Sequence, residues 1–329
     1  MHFIDLHAQQ KLVRDKIEHN INAVLNHGQY ILGPEVAELE GQLAEYVGVK
    51  HCIGVSSGTD ALLVALMALG VGPGDEVIIP SFTYVAPAEI TVLLGATPVY
   101  VDICPISYNL NPELLSKNLT DKTKVIIPTS LYGQCPDFDR INKIANDNGI
   151  PVVEDGAQSF GATYKASRSC SLSAIGVTSF FPSKPLGAYG DAGAIFTNED
   201  ELALDMRRIS RHGQDGRYNH IRLGVNGRLD TIQAAVLLAK LDIFDSEVSA
   251  RVQIGKEFSE ILLSRGFEGY PKVMPCNESV YGQYTIRVEN RGEVISALKE
   301  KGIPSAVHYP APLHLQTAVE KPSTHAPEA

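Results

Sequence analysis

Two short segments place polar side chains directly after a predicted strand, where a ligand could bind. In residues 56–62, a turn of small residues leads from a strand into a helix. Free backbone N–H groups and the helix dipole favour a phosphate there, although the same residues are typical of a simple helix cap. In residues 151–158, Asp155 ends a buried strand, at the edge where open α/β sheets bind ligands. Asp155 could equally cap the next turn, or bind Mg²⁺ together with Glu154, although no Walker A lysine motif accompanies them.

A third segment, residues 178–187, carries Lys184 directly after another predicted strand. Most lysines are solvated surface groups. Lys184, however, lies on the same strand-end side as Asp155, and a partly desolvated lysine can have a lowered pKa and attack an aldehyde. Pyridoxal phosphate needs a lysine for its aldehyde, a carboxylate for its ring nitrogen and helix amides for its phosphate. Tyr84 offers an aromatic face for the ring, so the three segments together predict a pyridoxal phosphate site.

The elements that must position these residues alternate between strands and helices. Short runs rich in Val and Ile predict strands at residues 52–56, 76–80, 97–102, 124–129, 151–155, 176–181 and 193–197. Helices are predicted at residues 60–69, 87–94, 112–115 and 137–148, and two more, 11–26 and 34–46, precede the sheet. This alternation indicates an α/β fold with a mainly parallel sheet covered on both faces. The last connection is too short for a crossover helix, so we expect the seventh strand to be antiparallel.

The last third of the chain has a different pattern. Predicted helices cover residues 230–244, 247–265 and 293–301, and predicted strands cover 283–288 and 305–308. We therefore expect a large cofactor-binding domain over residues 1–240, with the N-terminal helices, and a small α+β domain over residues 241–329. The chain after Leu315 is loop-like, so the small domain is expected to be truncated.

Composition and charge narrow the function classes. The chain has 329 residues and a net charge of −10, which argues against a nucleic-acid-binding protein. Its five cysteines are widely spaced and include no C-x-x-C pair, which argues against a zinc site or a disulfide framework and fits a reducing cytoplasm. The longest apolar run is about half of the ~20 residues needed to cross a bilayer. We expect a cytoplasmic protein with no metal, nucleic-acid or membrane partner.

Six segments resemble the sugar aminotransferases of the DegT/DnrJ/EryC1/StrS family. They are residues 57–62, 74–78, 80–84, 154–158, 179–184 and 224–228, and the resemblance covers nearly the whole chain. It implies the aspartate aminotransferase fold, which is fold type I of pyridoxal phosphate enzymes, with a mixed seven-stranded central sheet. Three further stretches, residues 27–34, 130–135 and 211–215, resemble members that aminate a UDP-linked 3-keto-hexuronate. The resemblance thus implies transamination of a nucleotide-linked keto sugar by L-glutamate, for surface polysaccharide such as O-antigen.

The resemblance also implies roles for individual residues. Lys184 would bind the cofactor covalently and move the proton at the substrate carbon, and Asp155 would keep the pyridine nitrogen protonated. The other implied cofactor-binding residues are Gly58, Thr59 and Ser179 at the phosphate, Tyr84 and Gln158 at the ring, and Asn226 at the phosphate of the neighbouring subunit of a homodimer. The implied substrate-binding residues are Gly28, Tyr30, Ser183, Arg228, His308 and Tyr309. Arg228 is either a carboxylate clamp or part of a salt bridge in the dimer interface.

Two departures from the family pattern leave alternatives open. Ala192 stands where the family usually has glycine, and family members continue for roughly thirty more residues. A non-catalytic or truncated, inactive protein of the same fold is therefore the alternative function. A sugar dehydratase of the family would carry histidine in place of Lys184, and a nicotinamide dehydrogenase would show G-x-G-x-x-G after the first strand.

Overall fold

The computed structural model describes residues 4–321 and 323–329. The helices of this part of the chain are α1 (Leu6–His27), α2 (Pro34–Val47), α3 (Gly58–Ala68), α4 (Ala86–Leu93), α5 (Pro112–Asn118), α6 (Phe138–Asp147), α7 (Asp200–Ile209), α8 (Thr231–Ser264) and α9 (Arg291–Glu300). The strands are β1 (His51–Val55), β2 (Glu76–Pro80), β3 (Thr97–Val101), β4 (Thr123–Ile126), β5 (Val153–Asp155), β6 (Thr163–Tyr164), β7 (Ser167–Arg168), β8 (Ile175–Ser179), β9 (Gly193–Thr197) and β10 (Asn277–Glu278). The seven strands predicted before residue 200 all form, as β1 to β5, β8 and β9.

These seven strands belong to two sheets rather than one. The first sheet is parallel, with the order β3-β2-β4, and the second has the order β1-β9-β8-β5. In the second sheet β9 is antiparallel to both neighbours, which confirms the prediction for the seventh strand. The predicted single seven-stranded sheet is not confirmed, because within the described residues the two sheets are connected by isolated parallel bridges, at Ile126–Val152 and Thr129–Asp155. Pro128 and Pro151 lie in this seam and have no N–H to donate to a continuous ladder.

The strands are covered on both faces, as their continuous apolar runs predict. Alternate residues of β2 enter different hydrophobic clusters: Ile78 packs with Phe138 of α6, and Ile79 packs with Leu66 of α3. All four side chains are buried. Because side chains alternate across a strand, a strand with apolar residues at every position needs a helix layer on each side. The sheets therefore form a rigid central layer, and the loops at the carboxyl ends of its strands can hold a site.

The C-terminal third differs from the prediction in two respects. Residues 231–264 form one 34-residue helix, α8, instead of the two helices predicted at 230–244 and 247–265. The polar pair at residues 245 and 246 does not break it, because the Ser246 hydroxyl donates to the Ile243 carbonyl (2.6 Å) within the helix. The predicted strands 283–288 and 305–308 do not form. Their apolar residues match a strand pattern, but a strand also needs a neighbouring ladder, and β10 pairs only with the short β6.

Helix α9 confirms the predicted helix at residues 293–301 within two residues at its start. The predicted domain boundary at residues 240 and 241 falls inside α8, so this helix runs through both predicted domains. The division into two domains stays a prediction. None of the described helices is long and apolar enough to cross a membrane.

Candidate active site

The start of α3 presents backbone N–H groups to the end of β8. Ser57 caps the helix: its hydroxyl accepts a hydrogen bond from the Asp60 N–H (3.0 Å), and its carbonyl accepts one from the Ala61 N–H (3.0 Å). Within the described chain, no hydrogen bond uses the N–H groups of Gly58 and Thr59. The segment therefore serves as a helix cap and also leaves two donors free for an anion.

Gly58 allows the α3 start to approach β8 closely. A Cβ atom at this position would lie 2.7 Å from the Cβ of Ser179. Only glycine fits there without displacing Ser179, so the two elements meet at this point. Gly58, Thr59 and Ser179, which were predicted to hold the cofactor phosphate, are thus brought together.

Asp155 lies at the carboxyl end of β5 and is 5% exposed. Its Oδ1 accepts a hydrogen bond from the Ala157 N–H (3.0 Å), and its Oδ2 lies 3.5 Å from the Thr129 hydroxyl. Burial raises the pKa of Asp155, whereas the Ala157 hydrogen bond and the charge of Lys184 lower it. No ion pair neutralises this carboxylate within the described chain, so it can accept a positively charged partner such as a protonated ring nitrogen.

Glu154 does not join Asp155 in a metal site. Neighbouring residues of a strand point to opposite faces, and the Glu154 carboxylate is bound by the Ser169 hydroxyl (2.6 Å) and the Leu172 N–H (3.3 Å). The Mg²⁺ alternative is therefore wrong for this pair. Among the described residues, no group of three or more His, Cys, Asp and Glu side chains could hold a metal ion.

Lys184 lies on the loop between β8 and β9, close enough to Asp155 for their charges to interact. Burial lowers the pKa of Lys184, and attraction to Asp155 only partly opposes this. A larger share of the amine is therefore neutral and nucleophilic than for an exposed lysine. His308 also reaches this cluster: burial lowers the pKa of its imidazole first, and the Lys184 charge lowers it further.

Aromatic side chains from separate parts of the chain form a wall beside the cluster. The Gln158 amide donates to the Tyr309 hydroxyl (3.1 Å), and the Tyr309 ring lies 5.9 Å from Phe82 and 6.2 Å from Tyr84 between ring centroids. Tyr84 is 55% exposed, so its face is open to a ligand. Tyr132 connects the wall to the C-terminal segment, because its hydroxyl donates to the His308 carbonyl. A cavity of about 430 Å³ adjoins this wall.

The remaining predicted residues lie on three loops, and residues 226–228 reach the start of α3, where the Gly227 carbonyl accepts a hydrogen bond from the Ser56 N–H (3.1 Å). Gly28 ends α1 in a left-handed conformation (φ 71°) and Tyr30 is 48% exposed. Asn226 is exposed, and its backbone forms an isolated antiparallel β-bridge with Arg211. The backbone of Arg228 forms an isolated antiparallel β-bridge with Val55. The buried Nε of its side chain has no hydrogen-bond partner in the described part of the chain. Ser183, next to Lys184, is part of the site loop.

Sequence reasoning missed two residues that the fold brings to the site. Thr129 follows β4 and places its hydroxyl beside Asp155, and the Thr83 hydroxyl donates to Thr129 (3.1 Å). A signal was available for Thr129, because it ends the strand predicted at residues 124–129 on the same edge as Asp155. Tyr132 carried no such signal, since its partner His308 is 176 positions away in the sequence.

A half-buried lysine, a strand-end carboxylate and free helix N–H groups on an α/β scaffold fit a pyridoxal phosphate enzyme of fold type I. The chain belongs to the DegT/DnrJ/EryC1/StrS aminotransferase family, whose sequence profile matches residues 11–329. It is therefore an aminotransferase, and its cofactor is pyridoxal phosphate. The described site fits this cofactor, because the Gly58 and Thr59 N–H groups and the Asp155 carboxylate are both available to it.

Individual relatives are similar over most of their length. The UDP-2-acetamido-2-deoxy-3-oxo-D-glucuronate aminotransferase of Pseudomonas aeruginosa is 62% identical over 317 residues, which cover 96% of this chain and 88% of that protein. The crystal structure of DesV from S. venezuelae, in complex with a ketimine intermediate, has a TM-score of 0.96 at 38% identity and covers 99% of this chain and 89% of its own. NtdA from Bacillus subtilis, with bound cofactor PMP, has a TM-score of 0.85 at 31% identity, covering 92% and 71%.

Proposed function

We propose that this aminotransferase transfers the amino group of L-glutamate to a UDP-linked 3-keto-hexuronate, in the cytoplasm, during the synthesis of surface polysaccharide such as O-antigen. The observation that carries the chemistry is Lys184, a half-buried amine whose pKa is lowered by burial and whose charge interacts with the Asp155 carboxylate. The substrate is supported by the 62% identity to the Pseudomonas aeruginosa enzyme, whose name states a UDP-linked 3-oxo-glucuronate. Nothing in the site favours an inactive protein.

Each residue of the cluster has a distinct task. Lys184 would hold the cofactor and, once released, its neutral Nζ would take a proton from the substrate carbon and return it. Asp155 would hold the proton on the ring nitrogen, because a buried carboxylate stabilises a cation best in a site that excludes water. Bound pyridoxal phosphate supplies an electron sink for the negative charge that develops at that carbon. Gly58 and Thr59 would hold its phosphate, and the rings of Tyr84 and Tyr309 would limit access of water.

Arg228 is the residue that we assign to the substrate carboxylate. Its guanidinium has a buried Nε without a partner in the described chain, and an unpaired buried donor is unfavourable. A carboxylate binds a guanidinium through two parallel hydrogen bonds and would satisfy this donor. A carboxylate of a second subunit could do the same, and substrate binding by an Arg228→Gln variant would distinguish the two.

We also propose that the protein is a homodimer with shared active sites. Tyr30, Tyr84 and Phe181 are large apolar side chains that are 48%, 55% and 49% exposed, and two of them belong to the predicted site. Solvent-exposed apolar groups in and beside a site are typical of an interface.

We propose in addition that the isolated bridges between the β4 and β5 regions let the two sheets act as one seven-stranded sheet. We also propose that α8 leads from a large domain (1–240) to a small one (241–329).

The first test is the visible absorbance spectrum of the purified protein with pyridoxal phosphate, recorded before and after L-glutamate is added. We expect a yellow band that glutamate bleaches, and the UDP-linked 3-keto-hexuronate should then restore it and become aminated. Bleaching without restoration by the keto sugar would reject the proposed acceptor and leave the aminotransferase assignment in place.

Replacing Lys184 by alanine should abolish both half-reactions and leave the fold intact, because the variant loses the amine that moves the proton. The measurements are amination of the keto sugar by mass spectrometry and the far-ultraviolet circular dichroism spectrum. Lys165→Ala is the matched control, since Lys165 is an exposed lysine paired with Asp139. Transamination by Lys184→Ala at the rate of the unchanged protein would contradict the assignment.

A further inference from the structure

A second lysine, Lys240 of α8, is completely buried but lies outside the cluster described above (0% exposed). Its Nζ donates a hydrogen bond to the carbonyl of Gly187 (2.6 Å) and lies 4.4 Å from the centroid of the Tyr189 ring. No carboxylate forms an ion pair with it in the described part of the chain. Burying a charged amine is costly unless its environment compensates. The Gly187 carbonyl and the face of the Tyr189 ring compensate for the burial of the Lys240 ammonium group.

Both partners of Lys240 belong to the loop that carries Lys184. Gly187 and Tyr189 follow Lys184 by three and five residues, before β9 begins at Gly193. The pKa of Lys240 is lowered to about 8 by burial, with the charge of Glu247 acting in the opposite direction. At pH 7 the side chain is therefore mostly an ammonium group, which makes the stronger hydrogen bond to a carbonyl.

Helix α8 holds the same loop at two further points. The Gln233 side-chain oxygen accepts a hydrogen bond from the Tyr189 N–H (2.9 Å). The Gln233 amide also packs against Gly190, where a Cβ atom would lie 2.9 Å from Nε2. Gly187, Tyr189 and Gly190 of the loop thus all contact α8.

Helix α8 is itself immobilised on the side that faces the loop. Val236 and Ala239 of α8 pack with Val13 and Ile17 of α1 in a buried cluster, and Tyr189 packs against this cluster. The loop is therefore attached to a rigid support of two packed helices. Such support matters because a displacement of about 1 Å at a reacting group can slow a reaction by about 10²-fold.

We propose that Lys240 is a positioning residue for Lys184: its ammonium group binds the Gly187 carbonyl and thereby holds the amine of Lys184 at the Asp155 end of the site. Lys240 does not touch the substrate in this proposal. It acts only through the backbone of the loop, and Gln233 supports the same loop through Tyr189.

The test combines the variant Lys240→Met with two measurements that do not depend on turnover. The first is amide hydrogen exchange of residues 181–192, which we expect to become at least tenfold faster while exchange in β2 and β8 is unchanged. The second is the rate at which the apoprotein, mixed with pyridoxal phosphate, binds the cofactor covalently, followed by absorbance. In this step the Lys184 amine condenses with the aldehyde to form a C=N bond and one water molecule is released. We expect this rate to fall between about tenfold and 10²-fold.

Two further variants separate positioning from simple loss of stability. Leu115→Ala creates a cavity beside α5, a helix that packs on β3 and α6, and lowers the melting temperature. It leaves the loop and the packing of α1 on α8 in place, so the loading rate should stay within twofold. Gln233→Met is a milder change that removes only the acceptor for Tyr189, and it should slow loading and speed exchange in the same loop. Should Lys240→Met fail to fold, Gln233→Met carries the test.

Three results would overturn the proposal. One is that amide hydrogen exchange of residues 181–192 and the rate of cofactor loading are unchanged in both Lys240→Met and Gln233→Met. Another is loading that is slowed equally by Leu115→Ala, because the effect would then follow stability alone. The third is borohydride reduction and peptide mapping that place the cofactor on Lys240. None of these results depends on the identity of the keto sugar, so they leave the proposed function to its own test.

Discussion

Glu154 and Asp155 are adjacent carboxylates on β5, and their different surroundings give them different functions. Both are buried, but only Asp155 faces a cationic side chain, Lys184. Glu154 instead accepts hydrogen bonds from the hydroxyls of Ser169 (2.6 Å) and Ser130 (3.4 Å). Hydroxyls stabilise a carboxylate less than a cation does, so Glu154 is more easily protonated. We assign Asp155 to the cofactor and Glu154 to the stability of the strand end.

This assignment predicts a pH-dependent contribution of Glu154 to stability. Burial raises the pKa of Glu154 from its ordinary value of 4.5 to about 7, and its hydrogen bonds only partly oppose this. The folded protein then binds more protons than the unfolded chain between these values. The contribution is therefore complete below pH 4.5 and is lost as the pH rises through about 7. The loss amounts to roughly 3 kcal/mol.

The measurement is the free energy of unfolding by urea between pH 4.5 and pH 8, compared between the unchanged protein and Glu154→Gln. The amide mimics the uncharged acid, so the variant should lose this component of the pH dependence. Glu300→Gln, which changes an exposed carboxylate on α9, is the control and should keep it. Identical pH dependence in the unchanged protein and Glu154→Gln would contradict the assignment.

At the scale of elements, the site depends on how closely the start of α3 approaches the strands. Gly58 meets Ser179 of β8, and a Cβ at Gly193 of β9 would lie 2.6 Å from the Ser57 backbone. Gly58 and Gly193, from distant parts of the chain, have no Cβ atom, so the start of α3 can approach β8 and β9 closely. The backbone N–H groups of α3 can consequently face the loop that carries Lys184.

Replacing Gly58 by alanine should weaken cofactor binding, because the new Cβ would lie 2.7 Å from the Cβ of Ser179. We expect the Kd for pyridoxal phosphate to rise about tenfold or more, which corresponds to a loss of about 1.4 kcal/mol. Titration of the apoprotein, followed by absorbance, measures it.

Gly41→Ala in α2 is the matched control, because outside the adjoining turns of its own helix no described atom lies within 4 Å of the new Cβ. It should leave the Kd unchanged and stabilise the helix by roughly 0.5–1 kcal/mol. A Gly58→Ala protein that folds and binds the cofactor as tightly as the control would show that the contact with Ser179 is not needed.

At the scale of the whole molecule, most ion pairs lie at the surface and contribute little. The pair Lys143–Asp147, for example, is 74% and 59% exposed, and such pairs typically contribute less than about 1 kcal/mol. The more shielded pair of Arg207 and Glu40 (2.7 Å) connects α7 to α2. Arg207 also donates to the Cys52 carbonyl of β1 (2.7 Å). Stability therefore rests mainly on the hydrophobic clusters on the two faces of the sheets.

The exposed position of Asn226 predicts complementation between inactive variants. In the proposed dimer each site combines Lys184 of one subunit with Asn226 of the other. Lys184→Ala and Asn226→Ala should each be much less active alone. After the two are mixed and reassembled, half of the dimers are hybrids with one complete site, so about a quarter of the original activity should return.

The control for this experiment is Lys184→Ala mixed with Asp155→Asn, which forms the same kind of hybrid. Both residues act in the same subunit's cluster, so each site of the hybrid lacks one of them and activity should not return. Absence of recovery with Asn226→Ala, as with Asp155→Asn, would show that Asn226 serves its own subunit. Sedimentation should give a mass near twice the 35.6 kDa of one chain.

Local patterns predicted the seven strands before residue 200, the antiparallel seventh strand and the strand-end positions of Asp155 and Lys184. These features depend on neighbours in the sequence: apolar runs define buried strands, and small or polar residues directly after a strand lie at one edge of the sheet. Asp155 and Lys184 could be paired for this reason. The structure places them within range of each other's charge.

Other features were decided only by tertiary structure, because they depend on contacts between residues far apart in the sequence. The break between the two sheets, the continuity of α8 and the missing strands at 283–288 and 305–308 depend on which partners are available for hydrogen bonds. The contacts of Thr129 with Asp155, Tyr132 with His308 and Lys240 with Gly187 join residues 26, 176 and 53 positions apart. The sequence by itself therefore determined the strands and the residue types available for chemistry, and the fold determined what holds them in place, since residue type is fixed by the sequence and position by long-range packing.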